Sequence, residues 1–351
     1  MDLELSVEQV QLRDSISIAF RRAVESSEAL GPMLAELGAV AMLVPQEQGG
    51  MGLGMVEGVI ACTQAGRFCL NFPLAETILL TGALTSVRPE AGNRVLSGLS
   101  SITATCDIRR GGQEHRNSGG YSAAYLDSAE WLAVLRDDRD IVLLEVSRLG
   151  QMSRNDLEPG IATGLVGVDA VQDCAAVVSM DLAVERLAIL RSAEIAGAAA
   201  FCFETAIEYL KDRRQFGQPI GANQALKHIA ADGYVQLENI RVAIDYAATA
   251  IDRAVDNPGE FGWREEAQQA VSVVLSFVPT AARELAEMAI QFHGGIGVTW
   301  EYPLNRYLRR ILRIGQSLGS SEHHRRALVN RIVDSDAEPR WQEQSVEKRP
   351  A

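Results

Sequence analysis

Residues 182–214, LAVERLAILRSAEIAGAAAFCFETAIEYLKDRR, carry apolar side chains at three- and four-residue steps and contain no proline. Some 30 residues of helix span about 45 Å. A helix of that length draws its stability from other long helices packed along it. Ala193, Ala196, Gly197 and Ala200 place small side chains on one face, which permits a close approach. Segments 223–255, 263–292 and 303–333 continue the same periodicity with short connections. The spacing therefore predicts an antiparallel helical bundle over residues 181–333.

Upstream the character changes twice. Residues 1–98 read as a helical domain. Ser6 followed by Gln9 forms a capping-box pattern ahead of an apolar-periodic run. GPMLAELGAVAMLVP and the stretches 56–70 and 73–86 read as further helices. The glycine-rich QEQGGMGLG does not spell GxGxxG and follows no clear strand, so it reads as a helix–helix connection. Residues 99–180 switch to short β-branched or apolar runs: SITATCDI, EWLAVLRD, DIVLLEVS, TGLVGVDA and DCAAVVSM. They predict a small β domain. Residues 334–351 lack apolar periodicity and read as a frayed tail. The fold class expected is mainly α with a small β domain between two helical ones.

Thirty-three basic against 46 acidic side chains give a net charge of −13. That charge disfavours a phosphate backbone as partner, so a nucleic-acid binder is not expected. No apolar run is long enough to span a bilayer, and the start MDLELSVEQVQLRD has neither basic nor apolar leader character. A cytoplasmic protein off the membrane is expected. The five cysteines form no CxxC pair and the five histidines are dispersed, so neither a disulfide framework nor a metal site is expected.

Three places hold chemistry. Arg213-Arg214-Gln215-Phe216-Gly217-Gln218-Pro219 ends the long helix, where guanidinium groups complement a helix C-terminus or clamp a pyrophosphate. Gln291-Phe292-His293-Gly294-Gly295-Ile296-Gly297 ends another, and its glycines stop the helix or let a backbone approach a ligand closely. Arg306-Tyr307-Leu308-Arg309-Arg310-Ile311-Leu312-Arg313 is a basic helix with interleaved apolar residues, read as a solvated amphipathic face.

In order and spacing these elements resemble the acyl-CoA dehydrogenase family. The family's R-x-x-FG, Q-x-x-GG-x-G and EYP elements are matched by Arg213 to Gly217, by Gln291 to Gly297 and by Glu301-Tyr302-Pro303. LAELGAVAMLVPQEQGGMGLG is similar to its N-terminal signature. The resemblance implies an N-terminal helical domain, a β-barrel-like middle domain and a C-terminal four-helix bundle. It also implies FAD bound at a subunit interface. Carried over, Arg213 contacts the pyrophosphate, Gln215, Phe216 and Gln224 line the same groove, and Gln291, Gly294 and Gly295 approach the adenosine end.

The departures are as informative. The family reaction removes the α-proton of an acyl-CoA thioester and passes the β-hydrogen to flavin as hydride. The base is usually a glutamate in a final EGT segment. Counting without gaps from Gln291 puts that position at Leu318, which has no proton-accepting group. Glu185, early in the long helix, lies about two residues from the family's alternative base position. Two residues turn a helix by about 200°. The flavin-loop pattern TEP-x-x-GSD and the W-I-T segment have no counterpart in 99–180. The resemblance is therefore to the non-catalytic-type (beta) subunit of bacterial heterotetrameric acyl-CoA dehydrogenases of steroid side-chain degradation. It implies a homologous catalytic partner in an α2β2 assembly, an acyl-CoA substrate and an electron-transferring flavoprotein as acceptor. Two other readings stand beside it: a self-sufficient dehydrogenase using Glu185, and a flavin-free scaffold on the same fold.

Overall fold

The computed structural model describes residues 4–25, 29–106, 120–136, 139–149, 153–155, 158–167, 176–215, 217–299 and 302–334. The N-terminal helices are α1 (Val7–Glu25), α2 (Leu30–Glu36), α3 (Met55–Arg67), α4 (Leu74–Val87) and α5 (Pro89–Leu96). The capping box at α1 is formed: the Gln9 amide donates to Ser6 Oγ at 3.2 Å, and Gln9 Oε1 accepts from the Ser6 amide at 3.0 Å. The second helix is shorter than its apolar pattern. Gly38 adopts φ 72°, a left-handed conformation that ends α2, and residues 39–41 form a separate 3-10 turn. The glycine-rich stretch after it is a connection, as expected. It leads into α3, where the Asp252 carboxylate accepts from the Met55 amide at 2.7 Å. That acceptor satisfies an amide with no partner inside its own helix.

The strands are β1 (Ile102–Cys106), β2 (Gly120–Ala124), β3 (Trp131–Leu135), β4 (Asp140–Glu145), β5 (Ser153–Asn155), β6 (Thr163–Gly167) and β7 (Ala176–Ser179). They form a four-stranded sheet in the order β1-β3-β4-β7 and a three-stranded sheet in the order β2-β6-β5. Among the described residues, the β1–β3 pair is parallel and the other pairs are antiparallel. Thr103 and Thr105 of β1 tie the two sheets by donating to the Ala124 and Ser122 carbonyls. Alternation places β3 and β4 in two cores at once. Trp131, Ala133, Leu135, Ile141 and Leu143 face the helices, whereas Leu132, Val134, Val142 and Leu144 face the second sheet. All five predicted strands exist; β2 and β5 were not visible in the pattern.

The bundle comprises α6 (Ala183–Asp212), α7 (Gln224–Asp256), α8 (Phe261–His293), α9 (Leu304–Ser317) and α10 (Ser321–Asp334). A two-strand hairpin, β8 (Arg214–Gln215) with β9 (Gln218–Pro219), joins α6 to α7. The expected close approach is real. A Cβ added at Gly66 of α3 would collide with the Glu194 carbonyl of α6, and one at Gly197 with the Thr63 carbonyl of α3. The run 303–333 is two helices, not one. Gly319 at φ 86° breaks it, and Leu318 caps α9. No helix among the described residues is long and apolar enough to cross a membrane.

Candidate functional site

Antiparallel packing brings the C-terminus of α6, the N-terminus of α7 and the C-terminus of α8 to one end of the bundle. Tyr209, near the end of α6, stacks on His293 at the end of α8 with ring centroids 4.2 Å apart. His293 Nδ1 lies 2.7 Å from the Ala289 carbonyl, so that nitrogen carries the proton. Nε2 then accepts from the Tyr302 hydroxyl at 3.0 Å. This cluster, with His293 buried and both tyrosines half-buried, fixes the turn after α8. Around it lie Arg213, Arg214, Gln215, Gln224, Gln291, Gly294 and Gly295, all exposed. A Cβ placed on Gly217, Gly294 or Gly295 would meet nothing within 4 Å. The backbone here is open on its outer side. Asn223 caps α7 by accepting from the Ala225 amide at 3.1 Å, and Gln224 opens the helix at its positive end. Exposed guanidiniums, amides, bare backbone and a helix N-terminus suit an anionic dinucleotide. Phe216 and Glu301 lie outside the described residues, as do residues 107–119 of the region in which the flavin-loop pattern was sought and residues 335–351 of the expected tail.

The second region surrounds position 318. Leu318 is buried, at 9% exposure, and its carbonyl lies 2.9 Å from His324 Nε2. Burial lowers the His324 pKa, and the bond to Leu318 opposes this. Beside it, Arg191 of α6 pairs with Glu76 of α4 at 2.8 Å. Arg191 also donates to the Ala104 carbonyl of β1 at 2.8 Å and to Ser317 Oγ at 3.3 Å. Along α9, Arg310 bonds Glu158 at 2.7 Å, Glu194 at 2.6 Å and the Leu70 carbonyl at 2.9 Å. Arg313 bonds Glu158 at 2.8 Å and lies over the Tyr125 ring. Burial raises the Glu194 carboxyl pKa, with Arg310 and Arg313 pulling it down.

This corrects the reading of residues 306–313 as a solvated face. Arg310 is 0% exposed, and Arg313 keeps only 11% of its side-chain surface. Arg310 sits in the apolar stripe Tyr307-Arg310-Ile311-Ile314 because glutamates from α6 and the β domain neutralise it there. A charge inside a periodic apolar stripe was the available sequence signal. Its partners, far away in the chain, were not readable.

Glu185 accepts from Gln268 of α8 at 3.3 Å. It stands about 180° around α6 from Glu194, at 100° per residue. Its carboxylate thus faces α8, whereas Arg191 and Glu194 face α4, α9 and the strands. A separate groove of about 420 Å³ between α1, α3, α6 and α7, floored by Val59, Ala196, Leu237 and Ile244, includes neither region.

A helical layer, paired small sheets and a long-helix bundle with these two surfaces define the class. Residues 13–93 match the profile of the acyl-CoA dehydrogenase N-terminal domain, and residues 175–333 match that of the C-terminal domain. The chain belongs to the acyl-CoA dehydrogenase family. It is 31% identical over 322 residues to acyl-CoA dehydrogenase IpdE2 of Mycobacterium tuberculosis, with 88% of each chain covered. It is also 31% identical over 297 residues to acyl-CoA dehydrogenase FadE34 of the same organism, covering 82% of this chain and 40% of that one. The structure of the ChsE4-ChsE5 complex from Mycobacterium tuberculosis superposes with TM-score 0.73 at 19% identity, over 96% of this chain and 100% of that one. The Tcur3481-Tcur3483 steroid ACAD superposes with TM-score 0.72 at 21% identity, over 94% and 99%. These two structural likenesses carry the fold.

Proposed function

We propose that this chain is a subunit of a heteromeric FAD-dependent acyl-CoA dehydrogenase. It completes the partner's FAD site and has no catalytic base of its own. The observation that carries the reading is Leu318: an apolar, buried residue where the family reaction needs a proton acceptor. The exposed set at the bundle end supports the other half. Arg213 would hold the pyrophosphate, Gln215 and Gln224 would line its groove, and Gln291, Gly294 and Gly295 would lie against the adenosine end. Bound FAD supplies the hydride acceptor. The residues of this chain bind and orient it from the far side of the interface, and the partner supplies the glutamate that takes the α-proton.

Exposed apolar side chains adjoin these grips. Ile229, Tyr234 and Val235 project from α7, and Ile296 and Val298 follow the glycine turn. Gly233 packs against Met288, which sets that stretch of α7 level with the end of α8. Such a rim suits a second chain of the same fold. The substrate in this reading is a bulky, steroid-type acyl-CoA, electrons leave to an electron-transferring flavoprotein, and the assembly is α2β2 in the cytoplasm. Glu185 is disfavoured as an alternative base by its place against Gln268. A flavin-free scaffold gives no reason for arginine, glutamine and open glycines to gather at one bundle end.

The test is made on the heteromer. Arg213→Ala and Gln291→Ala in this chain should each weaken FAD binding by the complex, about 10- to 100-fold for the arginine, the value of a charge-assisted bond. Unchanged FAD affinity in both variants would reject the shared site.

A further inference from the structure

Four elements meet at Arg191. Its Nε lies 2.9 Å from Glu76 Oε1, Nη2 donates to the Ala104 carbonyl, and Nη1 donates to Ser317 Oγ. Ser317 immediately precedes Leu318 and ends α9. Both members of the Arg191–Glu76 pair retain only 8% of their side-chain surface. One turn further along α6, Glu194 meets Arg310, which in turn meets Glu158 and through it Arg313. The three arginines and three glutamates balance in charge. Arg310 is fully buried.

We propose that the Arg191–Glu76 pair permanently occupies the space in which an acyl chain would lie beside residue 318. The cleft of this chain is then closed to acyl thioesters by filling, and not only by the loss of a base. The inference rests on the reading of Leu318 as the base position. A thioester held between the strands and the bundle must bring its α-carbon against side chain 318. Its acyl chain would then run through the space bounded by α4, α6, β1 and the end of α9. The guanidinium of Arg191 touches all three of the other elements from within α6. An entering chain would have to part a buried ion pair and strip Arg191 of its carbonyl partner. Burial of a few methylenes offsets less than that separation costs. The same contacts brace α4, the strands and the bundle together, so the subunit exchanges a pocket for rigidity.

The experiment reads access to the filled space in the full chain. Ser317→Cys places a thiol beside the pair, and N-hexylmaleimide carries an alkyl tail in the manner of an acyl chain. Labelling is followed by peptide mass spectrometry, with Ser15→Cys on the exposed face of α1 as reference. The expected result is labelling at position 317 at least 100-fold slower than at position 15. It should rise at least 10-fold when Glu76→Thr and Arg191→Val remove both partners together. Labelling of Ser317→Cys at the reference rate, with an unchanged circular dichroism spectrum, would overturn the proposal. So would slow labelling that persists in the folded triple variant. Should the triple variant not fold, the single variant decides alone. None of these rates depends on a partner or on FAD, so failure of the shared-site reading would show separately, in flavin affinity.

Discussion

Arg310 Nε lies 2.7 Å from one oxygen of Glu158 and 2.9 Å from the other, with neither side chain more than 1% exposed. This contact joins the last third of the chain to the strand region through two buried side chains. Its consequence is that each charge depends on its counterpart. Arg310→Met leaves Glu194 buried without its cation, and loss of one partner of a buried pair costs about 3–5 kcal/mol. Urea unfolding should show a loss of that order, and the double variant Glu194→Leu, Arg310→Met should lose less than the single. An Arg310→Met loss below about 1 kcal/mol would contradict the network.

Crossing of α3 and α6 depends on two residues without side chains. Gly197→Ala places a methyl group into the Thr63 carbonyl, so the helices must separate. Overpacking of this kind costs about 1–3 kcal/mol. Thermal melting should show a lowered midpoint, although alanine is the better helix former. A raised midpoint would mean that the crossing is looser than described.

On the proposed reading, a carboxylate at position 318 should not by itself create an enzyme. Leu318→Glu puts an acid at the position proposed for the base, and it leaves the buried Arg191–Glu76 pair in place. The chain alone should remain without dehydrogenase turnover in a dye-coupled assay. Turnover by this single variant would show that only the base was lacking.

His324 gives a pH dependence. Burial lowers its pKa in the folded chain below the ordinary value near 6.5. The unfolded chain therefore binds more protons just below that pH, and stability rises with pH there. The contribution is complete above about pH 6.5 and is lost as the pH falls through the lowered folded value. Denaturant midpoints measured from pH 7 to pH 5 should fall more steeply for wild type than for His324→Gln. Parallel curves would remove His324 from the account.

Much of the architecture was legible because long helices and apolar strands leave periodic traces. The run over 182–214 and the strands at 131–135 and 140–145 are of this kind. Gly120–Ala124 and Ser153–Asn155 left none, since small or polar residues form strands there only by pairing with Thr163–Gly167. The breaks at Gly38 and Gly319 were equally hidden, because each requires a left-handed backbone that periodicity does not report. At the bundle end, local motifs named the residues that the fold brings together, from Arg213 to Gly295. The buried network was illegible for the opposite reason. Arg310 and Glu158 are separated by 152 positions, and nothing local to either one announces the other.

Flavin content and turnover of the full chain, expressed alone and then with the proposed homologous partner, test the shared-site reading most directly. Alone, it should purify without stoichiometric FAD absorbance and without dehydrogenation of acyl-CoA; with the partner, both should appear. Full FAD occupancy and turnover by this chain by itself would contradict the central claim.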